Sequence, residues 1–132
     1  MENLMFHRVR LSVLWLVWEV GALAGMILEF YEPGLIDQIR SGEKGGVKIG
    51  PELLLLFTIM FLVPLVMAFL SLTLKDKANR WANIISGIAY TVVAVMAIVG
   101  HWQNLSALTI LPASEAVFTA LIVRYAYKQS KS

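Results

Sequence analysis

Leu53-Leu-Leu-Leu-Phe-Thr-Ile-Met-Phe-Leu-Val-Pro-Leu-Val-Met-Ala-Phe-Leu-Ser-Leu-Thr-Leu74 runs for 22 residues without a charged side chain. About 20 consecutive apolar residues carry an α-helix across the hydrocarbon core of a bilayer. A helix on a soluble core keeps a polar face; this run has none. It reads as a membrane span. Residues 11–30, 81–100 and 105–127 are apolar over similar lengths, so four spans are predicted, with 53–74 the most apolar. The expected fold is all-α: one integral membrane four-helix bundle over residues 1–132.

Composition agrees. Hydrophobic residues make up 58% and charged residues 15%, against roughly 45–50% and 25% in soluble domains. The chain has no cysteine, which excludes disulfide and thiolate chemistry within it. Its net charge of +2 is small, and the basic residues form short clusters flanking the apolar runs. Nucleic acid is therefore not an expected partner. Arg8 and Arg10 precede the first apolar run as they would in a signal peptide. The run is longer than an h-region of roughly 7–15 residues and carries Glu19, so a retained span is expected.

Short links around 75–80 and 101–104 favour antiparallel neighbours. The link over 31–52 is long. In it, Pro33 to Arg40 predicts a short interfacial helix with Pro33 in its first turn. Ser41 to Gly46 then reads as a flexible turn; it lacks the lysine and hydroxyl ending of a phosphate loop, and nucleotide binding is rejected. Arg8, Arg10, Lys75, Lys77, Arg80, Arg124, Lys128 and Lys131 lie on one side, and Arg40, Lys44 and Lys48 on the other. The positive-inside rule then expects a multi-pass protein of the cell (inner) membrane with both termini cytoplasmic. The long link becomes an outer face made acidic by Glu29, Glu32, Asp37, Glu43 and Glu52.

Two carboxyls stand against this background. Glu19 is nine residues after Arg10, and Glu115 nine before Arg124. In antiparallel helices both lie about 13–14 Å inside the basic boundary, at 1.5 Å rise per residue. Each costs roughly 2.5–3.5 kcal/mol at a bilayer centre on insertion scales. Two such groups in a low dielectric do not both ionise, so a shared proton is expected. Counting inward from Arg80 and Lys75 brings Tyr90, Thr91 and the Pro64 break to the same depth, with Ser114 and Ser86 within about a turn. Trp15 shares a helix face with Glu19 at four-residue spacing, and Trp18 adjoins it. Glu19, Glu115, Tyr90, Thr91, Trp15, Trp18 and Ser114 are thus the candidate ligand-binding residues. The plainer reading makes the carboxyls interhelical glue worth about 0.6–2 kcal/mol.

Pro64 and Pro112 free the carbonyls of Met60 and Leu108. A tolerated kink is the plain reading of each, and a freed carbonyl in a polar cavity the sharper one. Gly21 and Gly25 permit close helix approach. His7 and His101 fall on opposite sides and cannot share a metal. The methionines read as packing. No nucleophile–base–orienter set stands out. Catalytic residues stay unassigned, and no metal or cofactor is expected.

Arg80-Trp-Ala-Asn-Ile-Ile-Ser-Gly87, preceded by Ala78-Asn79, resembles a motif of a family of small four-span bacterial and archaeal membrane proteins of unknown function. That family looks loosely related to the DoxX-like membrane proteins. The resemblance extends to Leu14-Trp15, Glu32-Pro33-Gly34, Gly45-Gly46 and Ser114-Glu115. It implies a four-helix membrane bundle and no particular activity. The family's first segment tends to carry tyrosine and aspartate where this chain has Trp18 and Glu19, so the resemblance supports Glu115 more than Glu19. Asn79 is placed to cap the third span. Arg80 is placed to bind a lipid headgroup or to cap the carbonyls of the second span.

Three functions follow. One is binding, or help in transporting, a lipophilic or cationic small molecule; four spans would need a homo-oligomer to transport. The second is an intramembrane acid/base enzyme on a lipid-like substrate. The third is a structural or regulatory subunit of a larger membrane complex. Membrane lipid is a partner in all three.

Overall fold

The computed structural model describes residues 2–44, 46–100 and 110–128. Four long helices and a small loop cap follow one another: α1 (Glu2–Glu29), α2 (Leu35–Arg40), β1 (Glu43–Lys44), β2 (Val47–Lys48), α3 (Pro51–Thr73), α4 (Asp76–Gly100) and α5 (Ile110–Lys128). Apart from the two short strands and the connecting turns, the described residues are helical.

Several boundaries differ from expectation. Residues 2–10 hold neither glycine nor proline, so α1 extends past the apolar run to Glu2. Pro51 opens α3 at a position where its missing N–H costs nothing. Asp76 stands in the first turn of α4, where the helix dipole favours an acid. Only Leu74 and Lys75 separate α3 from α4. The beginning of the predicted fourth span, together with His101, Trp102, Asn104 and Leu108, lies outside the described residues. The short helix begins at Leu35 and leaves Pro33 out, because Gly34 adopts φ 89°, a left-handed conformation no right-handed helix continues through.

The expected turn is flanked by a short hairpin. β1 and β2 pair antiparallel, Glu43 opposite Lys48 and Lys44 opposite Val47. Gly42 and Gly46 take φ 85° and 80°, which the tight reversal requires and glycine permits. The Ile49 amide closes the hairpin on the Gly42 carbonyl at 2.7 Å.

The long helices alternate in direction. Arg8 of α1 meets Leu72 and Asp76 at the α3–α4 link. Tyr90 of α4 meets Met60 of α3, and Asn83 meets Ser71. Thr91 meets Thr119 of α5. Arg10 lies over the Tyr125 ring, and Gly25 lies against Leu111. These contacts make α1 and α5, α1 and α3, α3 and α4, and α4 and α5 antiparallel neighbours around a square. They also set Glu19 level with residues 116–117, within a turn of Glu115.

The buried apolar cluster is Leu11, Trp15, Trp18, Met67, Ala68, Tyr90, Ile122 and Ala126. Large apolar side chains also cover the outside, among them Val20, Leu55, Phe69, Ile85 and Met96. Asn79, Asn83, Ser71 and Thr119 are fully buried. Three helices, Leu4–Glu29, Pro51–Thr73 and Asp76–Val99, are long and apolar enough to cross a membrane.

At the link end Trp15, Ser71, Asn79 and Asn83 form a buried hydrogen-bond network. The Trp15 indole donates to Asn83 Oδ1 at 2.8 Å, and the Ser71 hydroxyl reaches the same oxygen at 3.2 Å. Asn83 Nδ2 donates to the Asn79 carbonyl and to its Oδ1, and Asn79 Nδ2 donates to the Ser71 carbonyl at 2.7 Å. Asn79 is therefore no N-cap. The helix already starts at Asp76, and the Asn79 side chain turns inward to α3. Nor does Arg80 cap the second long helix: Arg8 does, donating to the Leu72 carbonyl at 3.2 Å and pairing with Asp76 at 2.7 Å. Arg80 lies over the rings of Trp81 and Tyr127, 5.5 Å from each centroid.

Candidate ligand-binding cavity

Tyr90 organises the middle of the bundle. Trp15 and Trp18 stand edge-on to its ring, with centroids 5.7 and 4.9 Å away and planes near perpendicular. Such pairs add about 0.5–1.5 kcal/mol beyond their area. The Tyr90 hydroxyl donates to the Met60 carbonyl at 2.9 Å. Pro64, fully buried one turn on, supplies no N–H to that carbonyl. The helix break on α3 is thus repaired by a phenol from α4.

Above this aromatic floor, toward the hairpin end, lies a cavity of about 220 Å³. α1 contributes Trp18, Ala22, Gly25, Met26 and Glu29, and α3 contributes Phe57, Met60 and Phe61. Val93, Ala94 and Ala97 come from α4, Leu111, Pro112 and Glu115 from α5, and Lys44 from the hairpin. Small residues on two helices, Ala22 and Gly25 of α1 and Ala94 and Ala97 of α4, make the room. Gly25 does so most directly: a Cβ there would stand 3.4 Å from Leu111 Cδ1.

The walls are apolar and the polar groups few. Glu29 and Glu115 both line the cavity. Lys44 pairs with Glu29 at 3.0 Å and lies 5.4 Å from the Phe57 ring centroid. The pair is partly exposed, 28% for the lysine and 37% for the glutamate, so it is worth about 0.2–1 kcal/mol and exchanges readily. Among the described residues Glu115 has no hydrogen-bond or ion-pair partner for its carboxyl.

Of the seven residues expected at a ligand, the structure brings two to this cavity, Trp18 and Glu115. Tyr90 and Trp15 sit behind Trp18 and brace it. Thr91 instead ties α4 to α5, its hydroxyl lying 2.7 Å from both the Gly87 carbonyl oxygen and the Thr119 hydroxyl. Ser114 bonds the Leu111 carbonyl in its own helix. Glu19 is level with Glu115 but does not line the cavity. It is 6% exposed, and its Oε2 is buried without a partner, as is the Trp18 indole nitrogen. No hydrogen bond joins Glu19 to Glu115. At the cavity the expected carboxyl pair is replaced by Glu29 with Glu115, because helix rotation turns Glu19 elsewhere at the same depth.

In the sequence Glu29 and Lys44 stand out only as charges of the long link and its edge. No spacing links residue 29 to residue 44; only the hairpin's fold over the end of α1 does. Met60 and Met26 were read as packing, and they are walls. Among the described residues no group of histidine, aspartate and glutamate could hold a metal ion.

Fold and cavity together define a class: a helical protein with three helices suited to a membrane and a cavity between its helices bearing carboxyls. The chain belongs to a family of unknown function, DUF6326, which it matches over residues 3–127. No curated protein and no solved structure matches it.

Proposed function

We propose that the protein binds a lipophilic small molecule carrying a cationic or hydrogen-bond-donating group, seated in the cavity with that group on Glu115. A carboxyl without a partner in an apolar cavity carries this reading. Buried ionisable groups cost free energy unless paired, and a ligand cation supplies the pair. Trp18 forms the aromatic floor, held by Trp15 and Tyr90. At about 220 Å³ the cavity is smaller than the roughly 300–1,000 Å³ of drug-sized sites. It suits one ring or a short branched chain, with any longer tail lying along the bundle.

The setting belongs to the same proposal. The protein is a four-span bundle of the cell (inner) membrane with both termini cytoplasmic, α5 completing the fourth span and α2 lying at the outer interface. Supporting this are the apolar outward faces and, among the described residues, seven basic residues at the link end against three on the loop side. Arg80, stacked on Trp81 and Tyr127 at that end, is placed to meet lipid phosphate. A distant kinship with the DoxX-like membrane proteins fits the same architecture. Transport would need more than one copy of the chain.

Mass spectrometry of small molecules retained by the purified protein tests the binding. A compound held by the wild type and lost in Glu115→Gln is the expected result. Retention of nothing by the wild type, or equal retention by the variant, would sink the proposal.

A further inference from the structure

A second cavity lies outside the first and shares its wall. It measures about 510 Å³ and is lined by Glu29, Glu32, Leu35, Lys44, Phe57 and neighbouring loop residues. Glu29, Lys44 and Phe57 line both cavities. The partition is therefore one ion pair with one aromatic ring beneath its cation. We propose that the outer cavity is a second binding station on a single path to the inner one, and that the Glu29–Lys44 pair is the charge filter between them, admitting a monocation that takes the lysine's place on Glu29.

Three observations converge on this. The residues common to both walls are joined by side-chain contacts, Lys44 to Glu29 and to the Phe57 ring, and rotation of one lysine would break both. Lys44 sits on a two-residue strand at the edge of a hairpin, where a side chain turns without disturbing a helix. The charge count selects the guest. With Lys44 on Glu29, one carboxylate, Glu115, remains unmatched on the inner wall. A single positive charge completes the balance, whereas an anion meets Glu29, Glu32 and Glu115 in turn. Phe57, already beneath one ammonium, offers its ring face to the next. This deepens the ligand-binding reading above and rests on it, adding the route and the charge of the guest.

The absence of cysteine from the chain makes a direct test simple. Ala97, on the inner wall only, is replaced by cysteine in the full-length protein in detergent. Its modification rate is measured with a trimethylammonium-ethyl methanethiosulfonate and with the sulfonatoethyl analogue. The cationic reagent should react faster by about tenfold or more, within the range of electrostatic focusing. Adding Lys44→Ala should speed both reagents by a similar factor, Lys44→Arg should leave the rates as they were, and Glu29→Gln should abolish the preference for the cation. Equal rates with and without Lys44→Ala, preference for the anion, or a cysteine that neither reagent reaches would each overturn the filter. Loss of a copurified molecule in Glu115→Gln does not depend on these rates, so binding and filtering fail separately.

Discussion

Tyr90 and Met60 state the residue-scale logic of this molecule. Pro64 takes an N–H from the helix, and Tyr90 returns an O–H to the abandoned carbonyl at 2.9 Å. Removing one partner of a buried bond leaves the other unsatisfied, at about 1–3 kcal/mol. Tyr90→Phe should therefore destabilise the protein by an amount in that range. Pro64→Ala supplies a backbone N–H to the same carbonyl. The double variant should lose less than Tyr90→Phe and Pro64→Ala do separately, with a coupling of about 0.6–2 kcal/mol as for polar contacts between apolar helices. Thermal unfolding in detergent of the four proteins closes the cycle; simple additivity would mean that the phenol does not repair the proline break. Glu115 and Glu19 separate at this scale too. They share a level but not a surroundings, since one lines an open space and the other is packed away.

At the scale of elements, Gly87 sets how closely α4 and α5 approach. A Cβ there would stand 2.7 Å from Val123 Cγ2 and 3.3 Å from the Thr119 carbonyl oxygen. Valine's branched side chain has little freedom to retreat in a helix, and the backbone has less. Gly87→Ala should destabilise by about 1–3 kcal/mol, the usual cost of overpacking, and should weaken the adjoining Thr91–Thr119 contact. Gly21→Ala is the control: a Cβ there meets nothing within 4 Å, so its melting temperature in detergent should stay at the wild-type value. Comparable loss in both variants would remove the close-packing account of Gly87. Within the Gly21–Gly25 motif, only at Gly25 would a Cβ meet a neighbouring helix of the chain.

At the scale of the whole molecule, the alternating helices put the α3–α4 link at one end and the hairpin at the other. The proposed orientation predicts that a single cysteine at Lys77 is shielded from an impermeant thiol reagent in intact cells, while one at Val47 is labelled. The reverse pattern would invert the protein in the membrane, and labelling of both would remove the bundle from it. The amino-acid sequence by itself determined the helices and their order, because apolar run length and the placement of proline and glycine are local properties. Residues 53–74 announced α3 almost to its ends. The common level of Glu19 and Glu115 was also legible, since rise per residue is fixed by the α-helix. Helix rotation was not, because apolar side chains cover nearly every face of these helices and leave no periodicity to read. That rotation decided which carboxyl opens on the cavity and gave Asn79 to α3 as a buried donor in place of a cap. The hairpin brought Lys44 to Glu29, an encounter between residues fifteen positions apart. Only tertiary packing could turn Glu115 from one of two level carboxyls into the unpaired wall of a cavity, because pairing depends on which groups face one another across space.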